Sequence, residues 1–265
     1  MSPARARSEI IIEFEPPKRP DLSGVAGLSI ELAEVADHVL VPDNHLGQPT
    51  VSGIEVARRV QSVGNSAIVC LNARDRNRLG AHRDLLTCAA NGLTTLLFVR
   101  GDDVEDSDRS GLTIRDMLLL ARRIGDDHGT TFRIGVVAPR SPELAWREEA
   151  DFLIAPVRYT ATEVEAWRET IRFDGDVWAA ILILASANMG RRLNARNLDL
   201  TVPQTLIEAF DDDPDAGMTA AFGILENLDA AGVVDGAYMI PGQRLRPVID
   251  RLRVRQALLT DHDRS

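Results

Sequence analysis

The chain has 265 residues, 45% of them hydrophobic and 26% charged, with a formal net charge of −10. A balance of that sign argues against general nucleic-acid binding, and no apolar run approaches the roughly 20 residues of a membrane-spanning helix. The two cysteines, Cys70 and Cys88, and the five scattered histidines supply neither a disulfide framework nor zinc-ligand spacing.

The lysine count excludes a further class. Lys18 is the only lysine, against 29 arginines. Pro16, Pro17 and Pro20 crowd it into an exposed turn, so Schiff-base or pyridoxal-type chemistry has no anchor. The opening "MSPARARSE" lacks the apolar core of a secretory leader. Residues 1–8 are expected to be a frayed tail, and the protein to be cytoplasmic.

In chain order, short apolar runs alternate with amphipathic stretches. The expected strands are 10–14 ("IIIEF"), 38–41, 67–71 and 93–99, then 132–138, 151–157, 177–183 and 236–240. Helical periodicity falls at 51–63, 80–91, 113–125, 162–172, 216–231 and 243–257, with a weaker helix in "VAGLSIELAEVA". The strands are apolar throughout rather than alternating, as expected when helices cover one face and side-chain layers fill the other. Eight such strand–helix units in one chain of this length describe a single-domain α/β TIM barrel over 9–258, with a short tail at 259–265. An open doubly wound sheet would need a glycine-rich first βα turn, and here that turn reads "EPPKRPD". The connection 139–150 is thin, close to the dozen residues a parallel crossover requires.

In such a barrel, chemistry collects where the strands end. On the first strand Ile11, Glu13 and Glu15 share one face, and Ile10, Ile12 and Phe14 share the other. The all-apolar face suits the helix layer, which turns Glu13 into the barrel mouth. A partly desolvated carboxyl there is expected to have a raised pKa and to act as a general acid. The alternative is a structural glutamate paired with Arg100 or Arg74. Glu15 reads as a solvated neighbour.

Further along, "VPDNHLGQP" places Asp43 and Asn44 in a polar turn at the mouth, with His45 read as exposed. "NARDRNR" supplies Asn72, Arg74, Asp75 and Asn77. Arg76 and Arg78 read as parts of an arginine–aspartate lock that also caps the helix starting near Gly80, and Arg74 and Asp75 fit either that lock or a ligand contact. "FVRGDD" carries Arg100, Gly101 and Asp102. Gly101 lets backbone approach a ligand, and Asp102 is suited to offset a developing cation.

Together these segments resemble the methylenetetrahydrofolate reductases, flavoprotein TIM barrels of one-carbon metabolism. "IIIEFEPPK" looks like that family's first strand. "VPDNHLGQPTVSGIEVA" and "NARDRNRLGAHRDLLTCAANGLTTLLFVRGD" are similar to its second to fourth strands, and "LTVPQTLIEAFDDD" and "AAGVVDGAYMI" to its last segments. The resemblance implies Glu13 as the general acid that opens the five-membered ring of 5,10-methylenetetrahydrofolate. It also implies Asp102 as the electrostatic partner beside the pterin, and Glu208 and Phe210 as further substrate contacts. Asn72, Arg74, Arg100 and Gly101 fall where the cofactor would bind.

The departures are specific. Cys70 and Asn72 stand where the family has a histidine and a threonine. Ile154 and Ala155 stand where it has a threonine–glutamine pair. "PRSPELAWREEA" replaces a longer segment that holds the flavin's ribose and diphosphate. The expectation is therefore a divergent reductase that uses NAD(P)H without tightly bound FAD. The alternatives are a folate-dependent one-carbon transferase, or a folate-binding or partner protein without catalysis.

Overall fold

A computed structural model of the chain describes residues 8–44, 47–102, 111–141, 143–195 and 200–262. His45 therefore lies outside the described residues, as do residues 1–7 of the expected tail. Eight parallel strands close into a barrel in sequence order. They are β1 (Glu9–Glu13), β2 (His38–Val41), β3 (Ala67–Asn72) and β4 (Thr95–Val99), followed by β5 (Arg133–Val137), β6 (Phe152–Ala155), β7 (Asp176–Leu182) and β8 (Gly236–Ile240). Closure is made by β8 pairing with β1 in the register Ile11↔Tyr238.

The helix layer consists of α1 (Val25–Ala33), α2 (Gly53–Ser62), α3 (Arg78–Ala90), α4 (Ile114–His128) and α5 (Ala161–Thr170). It continues with α6 (Ala187–Ala195), α7 (Gln204–Glu208), α8 (Ala216–Ala231) and α9 (Leu245–His262). Several helix starts are written locally. The Asn77 side chain accepts from Gly80 N at 2.8 Å and so caps α3, whose first residue is Arg78. Thr113 and Asp116 form a reciprocal capping box on α4.

Two features depart from the regular strand–helix alternation. Between β5 and β6 the described residues form only a 3-10 turn, Ala145–Glu149, and no α-helix. Between β7 and α8 the chain instead inserts α6 and α7, which the sequence periodicity does not announce. At the C-terminus α9 runs to His262, past the expected boundary at 258.

Strand alternation sorts the core into two shells. Ile10, Ile12 and Phe14 join the large outer cluster beneath the helices. Ile11, Leu40, Ile68, Cys70, Leu97, Phe152, Ile154, Trp178, Ala180 and Tyr238 fill the interior. At the N-terminal end of the barrel the Arg133 guanidinium stacks 5.0 Å from the Phe152 ring centre and 4.9 Å from that of Trp178, and it pairs with Asp176. His38 shares a 2.8 Å hydrogen bond with Ser66 Oγ and lies 3.9 Å from Glu9. This polar plug closes the end opposite the strand termini, the face that barrels use for stability.

Gly135 is required by this packing. A Cβ added there would lie 1.9 Å from Phe152 Cε2, inside the ring of a fully buried side chain. Gly135→Ala is therefore expected to destabilise the barrel by about 1–3 kcal/mol or more through overpacking. Urea unfolding checks this, and an unchanged midpoint would contradict the packing described.

Candidate active site

The C-terminal ends of the strands bring together two unlike walls around a buried carboxylate. Glu13, the last residue of β1, is only 6% exposed. Its Oε2 accepts a hydrogen bond from the Tyr238 hydroxyl, which rises from β8 on the other side of the closure seam. Tyr238 is itself buried. Desolvation by burial, with the adjacent Glu13 charge and the hydrogen bond to it, pushes the phenol well above its ordinary pKa. It therefore stays protonated and acts as the donor. Ile10, Ile12 and Phe14 face the helices, so the inward direction expected for Glu13 is the one observed. Glu15 is exposed.

The polar wall is built at the exits of β2 and β3. Asp43 Oδ2 accepts from Asn72 N at 2.9 Å and from Asn72 Nδ2 at 2.8 Å, and it pairs with Arg76. Asn72 Nδ2 also donates to Asp75 Oδ2 at 2.9 Å, while Asn72 Oδ1 accepts from Asp75 N at 2.8 Å. Both amide hydrogens and the carbonyl of this side chain are thus engaged within the protein. Arg76 adds bonds to Asp84 Oδ2 at 2.9 Å and to Asn72 O at 3.0 Å. Arg78 is exposed on the first turn of α3 and not part of these bonds.

Arg74 donates from Nε to Asp75 Oδ1 at 3.0 Å. Its Nη1 is buried with no hydrogen-bond partner among the described residues. Burial alone would raise the Asp75 carboxyl. Hydrogen bonds from Arg74, Asn44 and Asn72 outweigh that and hold it below the usual carboxylate range. Burial, followed by the nearby Asp43 and Glu13 charges, pushes the Cys70 thiol upward. Cys70 is therefore a neutral filler at the mouth and not a nucleophile.

Gly101 leaves β4 with φ +93°, and a Cβ there would meet Asn72 Cβ at 3.2 Å and Arg74 Cβ at 3.3 Å. The glycine thus lets the fourth strand's exit close against the third's. Arg100 and Asp102 flank it, both exposed.

The opposite wall is apolar. Leu184, Val202 and Ile207 form a small buried cluster at the end of β7, joined by Tyr159, Leu182, Met189 and Phe210. Asn194 clamps Val202 through bonds of 3.0 and 2.7 Å, which ties the end of α6 to the segment leading into α7. Glu208 is exposed and accepts from Gln204 Nε2 at 2.8 Å, and Phe210 is half-buried in the cluster. Inside the barrel Val99, Val157 and Ile240 pack against the separate inner cluster. The arrangement suits a flat heterocycle with one polar edge, held beside a carboxyl that can carry a proton.

Sequence reasoning passed over Tyr238 and, apart from Glu208 and Phe210, the residues of the α6–α7 wall. The tyrosine did leave a signal: in "GAYMI" it sits at the inward position between Ala237 and Met239, and a buried phenol needs a partner. Ile154 and Ala155 are both buried, the first inside the barrel and the second under the helices.

No family model matches this chain, and no curated protein matches it. Solved structures do. An uncharacterised protein from Clostridium thermocellum that binds two copies of 5-methyl-5,6,7,8-tetrahydrofolic acid is 12% identical, with a TM-score of 0.60 over 95% of this chain and 96% of that one. An oxaloacetate acetylhydrolase, in complex with the inhibitor 3,3-difluorooxalacetate, is 9% identical, with a TM-score of 0.53 over 98% of this chain and 83% of that one. At these identities the likeness establishes the barrel fold.

Proposed function

We propose that this chain reduces 5,10-methylenetetrahydrofolate to 5-methyltetrahydrofolate with NAD(P)H, Glu13 serving as general acid. The observation that carries the reading is the buried Glu13 carboxyl at the barrel mouth, held by Tyr238 between a polar and an apolar wall. Two further points support it: the resemblance of the strand-end segments to the reductases, and the folate bound by the similar barrel from Clostridium thermocellum.

In this reading Glu13 delivers its proton to a folate nitrogen as the five-membered ring opens. Asp102, exposed at the end of β4, offsets the positive charge that develops. The cluster around Leu184 and Phe210 screens one side of the ligand from water. NAD(P)H supplies the hydride. The donors that fit it lie on the polar wall, where Arg74 Nη1 is a buried cationic donor. The crossover between β5 and β6 is a 3-10 turn without an α-helix among its described residues, which fits poorly with a tightly held FAD, and no step is assigned to one.

Purified protein mixed with NADH or NADPH and 5,10-methylenetetrahydrofolate is expected to consume the nicotinamide and form 5-methyltetrahydrofolate without added flavin. No consumption with either nucleotide, with or without FAD, removes the reductase reading.

One observation favours a second reading on the same pocket. Ile154 and Ala155 are packed into the core at the end of β6, so that strand offers no polar side-chain contact there. A folate-dependent one-carbon transferase would bind folate tightly and leave the nicotinamide untouched.

A further inference from the structure

We propose that Tyr238 is a positioning residue for Glu13: its hydroxyl orients the carboxyl in the barrel mouth and sets the pH at which that carboxyl gives up its proton. The kinetic part of this inference rests on the reductase reading, and the spectroscopic part does not.

The geometry comes from barrel closure. In the β1–β8 register Ile11 is opposite Tyr238, so Glu13 stands two residues further toward the mouth, a rise of roughly 6.6 Å. The long axis of a tyrosine spans that rise, and the hydroxyl meets Glu13 Oε2. The ring is held in the inner cluster with Ile11, Cys70 and Ala180, none of which can hydrogen-bond strongly enough to draw the phenol away. A buried phenol gripped along its length gives the carboxyl a fixed partner, whereas a mobile arginine or lysine would not.

The chemistry follows from which groups face Glu13. Among the described residues they include Tyr238 from β8 and Cys70 from β3, while Asp43, paired with Arg76, lies near Cys70 and Glu15 near Tyr238. Burial and the Glu13 charge keep both the phenol and the thiol protonated. Tyr238 is therefore a donor whenever Glu13 is ionised. A donor bond favours the carboxylate, while burial favours the neutral acid. The hydroxyl thus sets the balance between a proton held too tightly and one already lost.

The test is Tyr238→Phe, which removes one oxygen and keeps the ring. Reduction that needs protonated Glu13 falls as pH rises through the Glu13 pKa. In the variant that falling limb is expected to move up by about one pH unit. On the low-pH plateau kcat is expected to drop about tenfold while KM stays within about twofold, because the carboxyl is no longer held in one orientation. A side chain that only filled space would change stability and leave the limb in place.

The second arm is a carboxyl-carbon NMR titration of Glu13, assigned with Glu13→Gln, in the wild type and in Tyr238→Phe. It is expected to show the same upward shift without any reaction. If the Glu13 titration does not move, the inference is overturned. If it moves and no nicotinamide is consumed by the wild type, the reductase reading fails while the role of Tyr238 in setting Glu13's proton affinity stands. Should Tyr238→Phe not fold, an ultraviolet titration of Glu13→Gln takes its place. Tyr238 is then expected to ionise at lower pH than in the wild type, and an unchanged phenol titration would overturn the contact.

Discussion

Glu13→Gln is expected to leave the barrel folded and to lower reduction of 5,10-methylenetetrahydrofolate by about 10²–10⁴-fold, the usual contribution of a positioned general acid. The amide has the shape of the carboxyl, and its oxygen can still accept from Tyr238, so the seam between β1 and β8 keeps its contact. What the variant loses is the proton. The loss should therefore appear in kcat, with folate affinity nearly unchanged. Thermal unfolding, a folate binding titration and nicotinamide consumption on the same preparation separate these effects. Retention of more than about a tenth of the wild-type rate would remove Glu13 from the mechanism.

Arg76→Ala is expected to cost about 3–5 kcal/mol of stability, far more than an ordinary surface substitution. Arg76 is paired at once with Asp43 and Asp84, and all three side chains are at least 86% shielded from solvent, Arg76 and Asp84 being 14% exposed and Asp43 9%. Removing the guanidinium leaves Asp43 with its bonds from Asn72 and Asp84 with the exposed Arg83, and it also takes a donor from Asn72 O. At that cost the exits of β2 and β3 and the start of α3 lose the group that joins them. Urea unfolding should show a lower midpoint, whereas Arg78→Ala, exposed two residues away, should stay within about 0.5 kcal/mol of the wild type. Equal effects from the two arginines would mean that the lock is not centred on Arg76.

These two residues also show how far the sequence can be read. Glu13 was legible because strand periodicity is local. Three isoleucines and a phenylalanine divide between two faces, and the face with the carboxylate cannot be the one under the helices. Arg76 was legible as a type of residue in a lock, but its partners were not. Asp43 lies 33 positions earlier and Asp84 eight later, and no spacing rule selects them over the many other aspartates. Asn72 looked like a ligand contact as readily as a structural one, and only the bonds to Asp43 and Asp75 show how its side chain is used. The short helices α6 and α7 escaped because they bury one small cluster between them and carry no long amphipathic repeat.

By itself the sequence determined the class of fold, the order of the eight strands and the inward direction of Glu13. Each of these follows from patterns with a period of two or 3.6 residues, or from the spacing between them. Tertiary structure alone decided that Glu13 meets Tyr238, 225 positions away. That contact exists because the sheet closes, laying the last strand beside the first in one particular register. A closing register is set by how all eight strands tilt and pack together, and no local stretch of sequence contains it.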